Sequence, residues 1–232
     1  MQSFNEIVAE LKRHYGKPDV PSAKGPFELV MWENACYLLP DERRLMVFEA
    51  LRDQVGLTAA DLDAAPGELL LPLAKRGGMR PETRVFRWRQ IAGITLSQFG
   101  GDLDKILTWP YAEAKKALKQ FPNIGDPGAE KILLLCGVSN GLPLESNGMR
   151  VLVRVGWGRT QKNYGATYRS VQEALKDELP KSRERLKEAH LLLREHGKTL
   201  CKDKTPQCHE CPVSTDCKHA QTTAASFLRS ET

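Results

Sequence analysis

Four cysteines in the last part of the chain constrain its fold more than any other feature. Cys201, Cys208, Cys211 and Cys217 follow the pattern C-x6-C-x2-C-x5-C within seventeen residues. Four thiols so close in sequence either share a metal centre or form a cluster of reactive thiols. Four-cysteine sites hold tetrahedral zinc or a [4Fe–4S] cluster. Zinc sites usually pair two short knuckles, whereas only the middle gap is short here, so the spacing alone leaves both centres open.

The rest of the composition indicates an ordinary globular protein. The other two cysteines, Cys36 and Cys136, lie in apolar runs and are expected in the core. With 34 Lys and Arg against 29 Asp and Glu, the net charge is +5, which permits a polyanionic partner without requiring one. The first residues lack the apolar core of a signal peptide, and no apolar run approaches the roughly 18 residues of a membrane helix. We expect a cytoplasmic protein without a membrane partner, whose clustered cysteines bind metal.

The apolar pattern is helical. Apolar residues recur every three or four positions in nearly every segment, and no alternating strand-like run stands out. This pattern predicts an all-α fold of about ten short helices, separated by glycine and proline. The clearest helices are expected at 29–39, 45–51, 85–96, 144–155, 168–179 and 183–196. Residues 218–232 are polar and small, and predict a loose tail.

A second motif is the run Leu118-x-x-Phe121-Pro122-Asn123-Ile124-Gly125 and the apolar helix after it. Two helices joined by such a tight turn can present backbone N–H groups to a phosphate. Asn123 tolerates a left-handed backbone in the turn, and Asp126-Pro127 is typical of an N-cap and first helical residue. Both residues weaken an anion site, because proline lacks an N–H and the carboxylate competes for the others. The alternative is an ordinary helix–turn–helix corner.

Together these motifs resemble the endonuclease III-like helix-hairpin-helix DNA glycosylases. The stretch His196-Gly197-Lys198-Thr199-Leu200-Cys201 is similar to the approach to the first cluster ligand in that family. The resemblance implies a structural [4Fe–4S] cluster on the four cysteines, and DNA contacts at Asn123, Ile124, Gly125 and Gly128. It also implies two helical lobes. One is a six-helix barrel with the helix-hairpin-helix at 23–133, and the other is a cluster lobe formed by 1–22 and 134–232.

Two further stretches supply candidate catalytic carboxylates. The run from Glu145 to Arg154 resembles the Asp-Gly-Asn-x-x-Arg-Val-Leu-x-Arg stretch of the adenine glycosylases in the same superfamily, with Glu145 in place of the essential Asp. The run from Pro26 to Glu33 resembles their Pro-Tyr-x-x-Trp-Leu-Ser-Glu, whose last residue protonates the base. The resemblance therefore implies catalytic roles for Glu33 and Glu145.

The chemistry explains why two carboxylates are useful. Breaking an N-glycosidic bond leaves positive charge on the sugar and negative charge on the base, so one carboxylate should be ionised and the other protonated. The apolar neighbours of Glu33 favour a raised pKa, and the helix start at Glu145 favours the ionised form. The alternatives are a partly exposed helix residue at position 33 and a plain N-terminal helix charge at position 145.

One difference from the bifunctional members concerns the lysine that forms their Schiff base with the sugar. That lysine stands two residues after the turn glycine, where this chain has Pro127. The resemblance therefore implies that strand cleavage by this route is absent. Lys131, one helical turn further on, is the alternative amine.

Other candidate DNA contacts lie outside the hairpin. Tyr37 or Leu38 could fill the gap left by a flipped nucleotide, although core residues at a helix end are an equal alternative. The segment Gly77 to Arg84 matches a Gly-Leu-x-Tyr-Tyr-x-Arg run of the family, but has Pro81 and Glu82 at the tyrosine positions. This difference implies another target base or a pocket of unusual polarity. Arg80, Arg84 and Asn147 are further expected DNA contacts, although a solvated helix face would also carry such arginines.

These observations predict a monofunctional DNA glycosylase that acts as a monomer on duplex DNA containing a lesion or mismatch. It would remove one flipped base and leave an abasic site. The first alternative is a catalytically impaired lesion- or structure-binding protein of the same fold, which Asp126-Pro127 and the Asp-to-Glu exchange favour. A zinc-stabilised helical module is the third hypothesis.

Overall fold

The computed structural model describes residues 2–222, and regular structure within that range is helical. The α-helices are α1 (Phe4–Tyr15), α2 (Gly25–Ala35), α3 (Asp41–Gln54), α4 (Ala59–Ala64), α5 (Gly67–Arg76), α6 (Pro81–Phe99), α7 (Tyr111–Leu118), α8 (Asp126–Leu135), α9 (Ser146–Val155), α10 (Tyr164–Leu175) and α11 (Arg183–Thr199), and a 3₁₀ helix covers Leu103–Thr108. No strand occurs in the described range, so the all-α prediction is confirmed. Within residues 2–222, no helix combines the length and apolarity needed to span a bilayer.

Several helices begin where a polar side chain caps them. Ser3 and Glu6 form a capping box at the start of α1, and Thr58 and Asp61 form another at α4. Ser182 accepts a hydrogen bond from the backbone N–H of Arg185 at the start of α11. Such side chains satisfy N–H groups that have no acceptor within the helix. The helix boundaries therefore follow from local chemistry as well as from apolar periodicity.

The chain divides into two compact units. Residues 21–139, here called the hairpin unit, contain α2 to α8 and the 3₁₀ helix. Its core includes the fully buried side chains of Met31, Phe48 and Trp88. The long helix α6 packs against α2, α4 and α5. This unit therefore holds α2, which carries Glu33, and α8, which follows the predicted hairpin, in one packed body.

Residues 1–20 and 140–232 form the second unit, here called the cysteine unit. It contains α1, α9, α10 and α11, and α9 and α1 both pack on α11. Residues 134–139 group with the hairpin unit because the N–H groups of Val138 and Ser139 donate to the carbonyl of Leu133 at the end of α8. The predicted division into two domains stays a prediction, with one domain at 23–133 and the other formed by 1–22 and 134–232.

Three helix boundaries differ from the predicted ranges. The helix expected at 29–39 ends at Ala35, because the backbone at Cys36 is extended, and Leu38 beyond it is left-handed with φ 54°. The helix expected at 168–179 runs instead from Tyr164 to Leu175, since Asn163 caps it by accepting from the N–H of Ala166. The expected loose tail begins with helical residues 218–222, where the N–H of Gln221 donates to the carbonyl of Cys217. The remainder of that prediction, 223–232, lies outside the described residues.

Candidate functional site

Glu33 lies near the end of α2 and has two cationic partners. Lys131 Nζ on α8 lies 2.7 Å from Glu33 Oε2, and Arg44 Nη1 on α3 lies 3.7 Å from Glu33 Oε1. The side chains of Glu33, Lys131 and Arg44 are 19%, 15% and 17% exposed. Cations beside a carboxylate favour its ionised form. The surroundings therefore differ from the apolar setting that the sequence predicts for Glu33.

Arg44 is a site residue that the sequence did not single out. Its guanidinium carbon lies 5.8 Å from the centroid of the Trp32 ring, a cation–π contact. Its Nε is buried and has no hydrogen-bond partner among the described residues. Arg44 stands in the charged run Asp41-Glu42-Arg43-Arg44, which looks like a solvated helix start, so the sequence offers no signal for this contact.

Asn34, next to Glu33, ties α2 to the hairpin. Its Nδ2 donates to the carbonyls of Val30 at 2.9 Å and Pro122 at 3.0 Å. Its Oδ1 accepts from Nδ2 of Asn123 at 2.8 Å. Asn34 is buried, so these bonds are shielded from water. A polar residue inside the apolar run of α2 is the sequence signal that could have identified it.

The hairpin turn has the predicted left-handed residue, because Asn123 has φ 61°. The N-cap of α8 is Gly125, however, and not Asp126, which is the first helical residue. The Asp126 carboxylate accepts from Nζ of Lys119 at 3.0 Å and pairs with Nζ of Lys115 at 3.1 Å. These lysines lower the pKa of Asp126. The carboxylate is thus engaged by lysines, and does not cap the N–H groups at the start of α8 as expected.

The remaining hairpin residues have clear structural roles. Ile124 is buried in the core of the hairpin unit, so its backbone is the part left for a ligand. A Cβ built on Gly128 would lie in ordinary contact with the Ile124 side chain at 3.6 Å. Pro127 lies in the first turn of α8, and Lys131 follows one turn later beside Glu33.

Two loops of the hairpin unit lie side by side and expose apolar side chains. The N–H of Tyr37 donates to the carbonyl of Gly77 at 3.4 Å, and the backbone at Gly78 approaches Leu39. Tyr37 and Leu38 are 57% and 79% exposed, which excludes the interpretation of these two as core residues. On the second loop, Met79 is 68% exposed and was not singled out from the sequence.

The two predicted arginines of that second loop differ in their environment. Arg80 is exposed and has a left-handed backbone with φ 57°. Arg84 is buried, and its guanidinium donates to the carbonyls of Ala74 at 2.7 Å, Gly78 at 3.2 Å and Met79 at 3.2 Å. Burial lowers the pKa of Arg84. Contrary to the expectation of a DNA contact, Arg84 holds the loop together from inside.

In the cysteine unit, Glu145 is the N-cap of α9. Its Oε1 accepts from the N–H of Gly148 at 2.7 Å, and its Oε2 accepts from Nδ2 of Asn147 at 2.8 Å. The carboxylate is therefore fixed by two donors from its own helix start. Asn147, which the sequence placed among the DNA contacts, uses its amide within the protein. Tyr164 anchors Leu144, the residue before Glu145, because the Tyr164 hydroxyl donates to the carbonyl of Leu144 at 2.9 Å.

Two arginines of α9 hold the segment that begins at the first cysteine. Nε of Arg150 donates to the carbonyl of Cys201 at 2.9 Å, and its Nη2 donates to Oδ1 of Asn147 at 2.9 Å. The guanidinium of Arg154 donates to the carbonyls of Lys202 at 2.6 Å and Asp203 at 2.7 Å. Planar guanidinium groups with several donors suit such multiple contacts. They fix the backbone around Cys201.

The four predicted metal ligands line one cavity. Burial, with a smaller effect of the neighbouring thiolates, raises the pKa of Cys211 to about 11. Burial also raises the pKa of Cys208. Such thiols would release protons on binding a cation. Four sulfur donors around one cavity are a donor set suited to iron–sulfur or zinc chemistry. Within residues 2–222, no three His, Cys, Asp or Glu side chains are grouped as a metal site.

His196 adds a polar contact to this cavity. Its Nε2 lies 3.5 Å from Sγ of Cys211, and its Nδ1 lies 2.9 Å from the hydroxyl of Tyr15. Burial lowers the pKa of His196 to about 4, so the ring is neutral at physiological pH. A neutral ring with fixed partners on both nitrogens orients the neighbouring sulfur.

Comparisons with known proteins agree with the resemblance found in the sequence. No protein-family model matches the chain. The chain is 30% identical over 181 residues to endonuclease III of Sulfolobus acidocaldarius, covering 77% of this chain and 75% of that protein. It is also 30% identical over 216 residues to a thymine/uracil-DNA glycosylase of Pyrobaculum aerophilum, covering 91% of this chain and 88% of the relative.

Solved structures show the same fold. An endonuclease III trapped as a covalent intermediate with DNA has a TM-score of 0.76 and 18% identity, covering 97% of this chain and 100% of that chain. A thermostable thymine-DNA glycosylase has a TM-score of 0.74 and 16% identity, covering 94% of this chain and 95% of that chain. At these identities the likeness concerns the helical fold alone.

Proposed function

Because the chain belongs to the endonuclease III-like family of DNA glycosylases, we propose that it hydrolyses the N-glycosidic bond of a damaged or mismatched base flipped from duplex DNA. The observation that carries this proposal is the fixed carboxylate of Glu145. Two hydrogen bonds hold it in one orientation at the start of α9. A carboxylate held in this way can stabilise a developing positive charge without first reorganising.

In the proposed reaction the bond between the sugar C1′ and the base nitrogen breaks, and its electron pair leaves with the base. Glu145 stabilises the oxocarbenium-like sugar and orients the water that attacks C1′. Glu33 acts at the departing base. The proton released by the attacking water is balanced by a proton that the base takes up, so the products are an abasic sugar and a neutral base.

DNA binding would come mainly from the hairpin unit. The start of α8, with Asn123, Ile124, Gly125 and Gly128, offers backbone N–H groups to a phosphate. Lys119 and Lys115 add positive charge beside it. The exposed Tyr37, Leu38 and Met79 suit a wedge that fills the space of a flipped nucleotide. Arg80 adds a cation next to that wedge.

We further propose that the enzyme is monofunctional. The position of the Schiff-base lysine in bifunctional relatives holds Pro127, which has no amine. The Nζ of Lys131 is engaged by the carboxylate of Glu33 at 2.7 Å, which holds it away from the role of a free nucleophile.

The fit of the donor set supports a [4Fe–4S] cluster held by Cys201, Cys208, Cys211 and Cys217 around their common cavity. When bound, such a cluster would supply a rigid inorganic crosslink. Arg150 and Arg154 would connect that crosslinked segment to α9 through the carbonyls of residues 201–203. Absorbance near 400 nm and an iron content of about four per chain would support the cluster over zinc.

The test is a panel of duplexes carrying uracil, thymine mismatches, oxidised bases and alkylated bases, with and without alkali after the reaction. Strand breaks that appear only after alkali support a monofunctional glycosylase. Borohydride treatment tests the lyase route, because it would trap a Schiff base as a covalent protein–DNA adduct. Loss of excision in Glu145→Gln, with Glu173→Gln on the exposed surface of α10 as the control, assigns the activity to this carboxylate.

The alternative of a catalytically impaired DNA-binding protein also has one supporting observation. Both oxygens of Glu145 already serve as acceptors at its own helix start, which is sufficient to explain a glutamate there as a structural cap. Tight and lesion-dependent binding without turnover on any duplex of the panel would favour this alternative.

A further inference from the structure

Glu33 lies between two cations that come from different helices. Lys131 on α8 is at 2.7 Å and Arg44 on α3 is at 3.7 Å, and all three side chains are less than one-fifth exposed. Because water is largely excluded, these interactions are stronger than those of surface ion pairs. Two positive charges around one negative charge leave the group with a net positive charge.

The second observation is the way Arg44 is held. Its guanidinium carbon lies 5.8 Å from the centroid of the Trp32 ring, which fixes the plane of the group. Its Nε is enclosed by protein, so the terminal Nη groups are the donors left for a partner. Because Nη1 faces Glu33 at 3.7 Å, a base carbonyl oxygen beside this carboxylate would meet that edge of the guanidinium.

We propose that Lys131 and Arg44 receive the departing base as an anion, while Glu33 stays ionised and holds these two cations in place. This inference rests on the proposed glycosylase function and changes the role of Glu33 within it. Glu33 becomes a positioning residue instead of a proton donor. Lys131 and Arg44, which the resemblance does not assign, become the groups that contact the base.

The C1′–N bond breaks heterolytically, and its electron pair leaves on the base, where carbonyl oxygens share the negative charge. Lys131 and Arg44 stabilise that charge electrostatically and by hydrogen bonds. Water adds to C1′ and loses a proton, and the base anion gains one from solvent after cleavage. A base with carbonyl groups and an acidic ring nitrogen fits this site better than adenine, which leaves more easily after protonation.

Charged residues on the other elements packed against α2 have other contacts. On α6 the Arg84 guanidinium binds the carbonyls of the 74–79 segment. On the 3₁₀ helix Lys105 donates to the carbonyl of Phe99, and Asp104 lies by Gly25 at the opposite end of α2. On α2 itself, Glu28 pairs with Arg52. These groups are therefore engaged elsewhere, whereas Lys131 and Arg44 pair with Glu33.

A leaving-group series tests the proposal in the full-length, cluster-loaded protein. Single-turnover excision is measured on duplexes with uracil and 5-substituted uracils whose ring nitrogen differs in acidity. We expect Lys131→Met to slow uracil excision by about tenfold to a hundredfold. The fold reduction of the rate should be smaller for more acidic leaving bases, because a more stable anion needs less electrostatic stabilisation from the protein. Lys116→Met on the exposed surface of α7 is the matched control. A loss of equal size across the series, or no loss, overturns the proposal.

The pH profile separates this role from acid catalysis by Glu33. If Glu33 delivered a proton, the wild-type rate would fall as pH rises through the pKa of a carboxyl group. We expect instead that the wild-type rate does not decline as pH rises through the neutral range. Lys131→Arg should preserve activity, because arginine also carries a positive charge. A carboxyl-dependent decline near neutrality in wild type overturns the proposal.

Two further outcomes keep this inference distinct from the proposed function. Absence of excision by wild type on every duplex contradicts the glycosylase function itself. Excision of adenine but of no carbonyl-bearing base supports the function and overturns the anion receptor. Because Lys131→Met leaves a carboxylate without its cation, the double variant Glu33→Gln with Lys131→Met checks folding. This double variant should fold like wild type and show the same dependence of its rate on leaving-group acidity as Lys131→Met.

Discussion

The side-chain amide of Asn147 is held between a carboxylate and a guanidinium. Its Nδ2 donates to Oε2 of Glu145 at 2.8 Å, and its Oδ1 accepts from Nη2 of Arg150 at 2.9 Å. Arg150 also donates to the carbonyls of Gly197 at 2.7 Å and Cys201 at 2.9 Å. A continuous chain of hydrogen bonds therefore connects the candidate catalytic carboxylate with the first cysteine of the predicted cluster.

Asn147→Ala should lower the rate of base excision more than it lowers DNA affinity. The substitution removes one of the two donors that orient Glu145, and a displacement of about 1 Å in a catalytic group can cost a hundredfold. We expect the single-turnover rate constant to fall by about tenfold to a hundredfold, with Kd nearly unchanged. A rate equal to that of wild type would contradict the positioning role.

Asn163→Ala is the matched control for this variant. Asn163 is also an asparagine at a helix start, where it caps α10 by accepting from the N–H of Ala166 at 2.9 Å. Its removal should lower the free energy of unfolding by about 1 kcal/mol without a loss of rate. Equal loss of rate in both variants would indicate general destabilisation.

Asp126→Asn should strengthen DNA binding. The carboxylate engages Lys119 and Lys115 at the start of α8, and its negative charge opposes a phosphate there. We expect a Kd several-fold lower, and a steeper dependence of log Kd on log salt because Lys119 becomes available, while Lys115 stays paired with Glu130 at 2.5 Å. Fluorescence anisotropy at several salt concentrations measures both. Asp53→Asn on the exposed surface of α3 is the control, and equal gains in both variants would reduce the effect to net charge.

The same residue gives a pH prediction for stability. The lysines lower the pKa of Asp126 in the folded protein. A group of this kind contributes stability above its unfolded pKa of about 3.9, and loses it as pH falls through the folded value. Because the pair is largely exposed, the difference between wild type and Asp126→Asn should be at most about 1 kcal/mol at pH 7. Urea unfolding from pH 7 to pH 2 should show this difference vanish, and a difference that grows with acid would contradict it.

Leu38→Gly should raise the free energy of unfolding and weaken base flipping. Leu38 holds a left-handed backbone that glycine adopts freely, so relief of strain should raise the free energy of unfolding by about 1 kcal/mol. The side chain is 79% exposed, so little buried area is lost. If Leu38 fills the space of a flipped nucleotide, the fluorescence change of 2-aminopurine beside the lesion should shrink. Thermal unfolding measures the first effect, and unchanged base flipping would exclude the wedge.

The parts of the molecule that follow from local sequence were predicted well. Apolar periodicity gives the all-α fold, and Asn123 in the turn takes the left-handed backbone expected of it. The prediction failed where a side chain outside the helix supplies the partner. Asp126 looks like an N-cap in isolation, but Lys115 and Lys119 of the preceding helix compete for its carboxylate.

The candidate site also contains contacts that the sequence alone did not predict. Apolar neighbours along the chain suggest a desolvated Glu33, but the residues beside it in space are Arg44 and Lys131, which are distant in sequence. In the sequence Arg84 looks like a DNA contact because it is one of several arginines in its segment. Only the folded loop shows that carbonyl groups surround it. The catalytic roles of Glu33 and Glu145 and the cluster on the four cysteines stay predictions.

Removal of the metal centre should loosen the segment 201–203 and slow base excision together. Arg150 and Arg154 bind the carbonyls of this segment, and Nη1 of Arg154 lies 3.4 Å from Sγ of Cys201. A cluster on the four cysteines would fix one side of the segment, and the arginines would fix the other. Hydrogen–deuterium exchange should then rise in 201–203 and at the start of α9 after oxidative removal of iron with a chelator.

Arg154→Gln, with the metal still bound, should show the faster exchange in 201–203 but spare the start of α9, which Arg150 continues to hold. Exchange at the start of α9 that stays the same after metal removal would show that Glu145 is positioned independently of the cysteines.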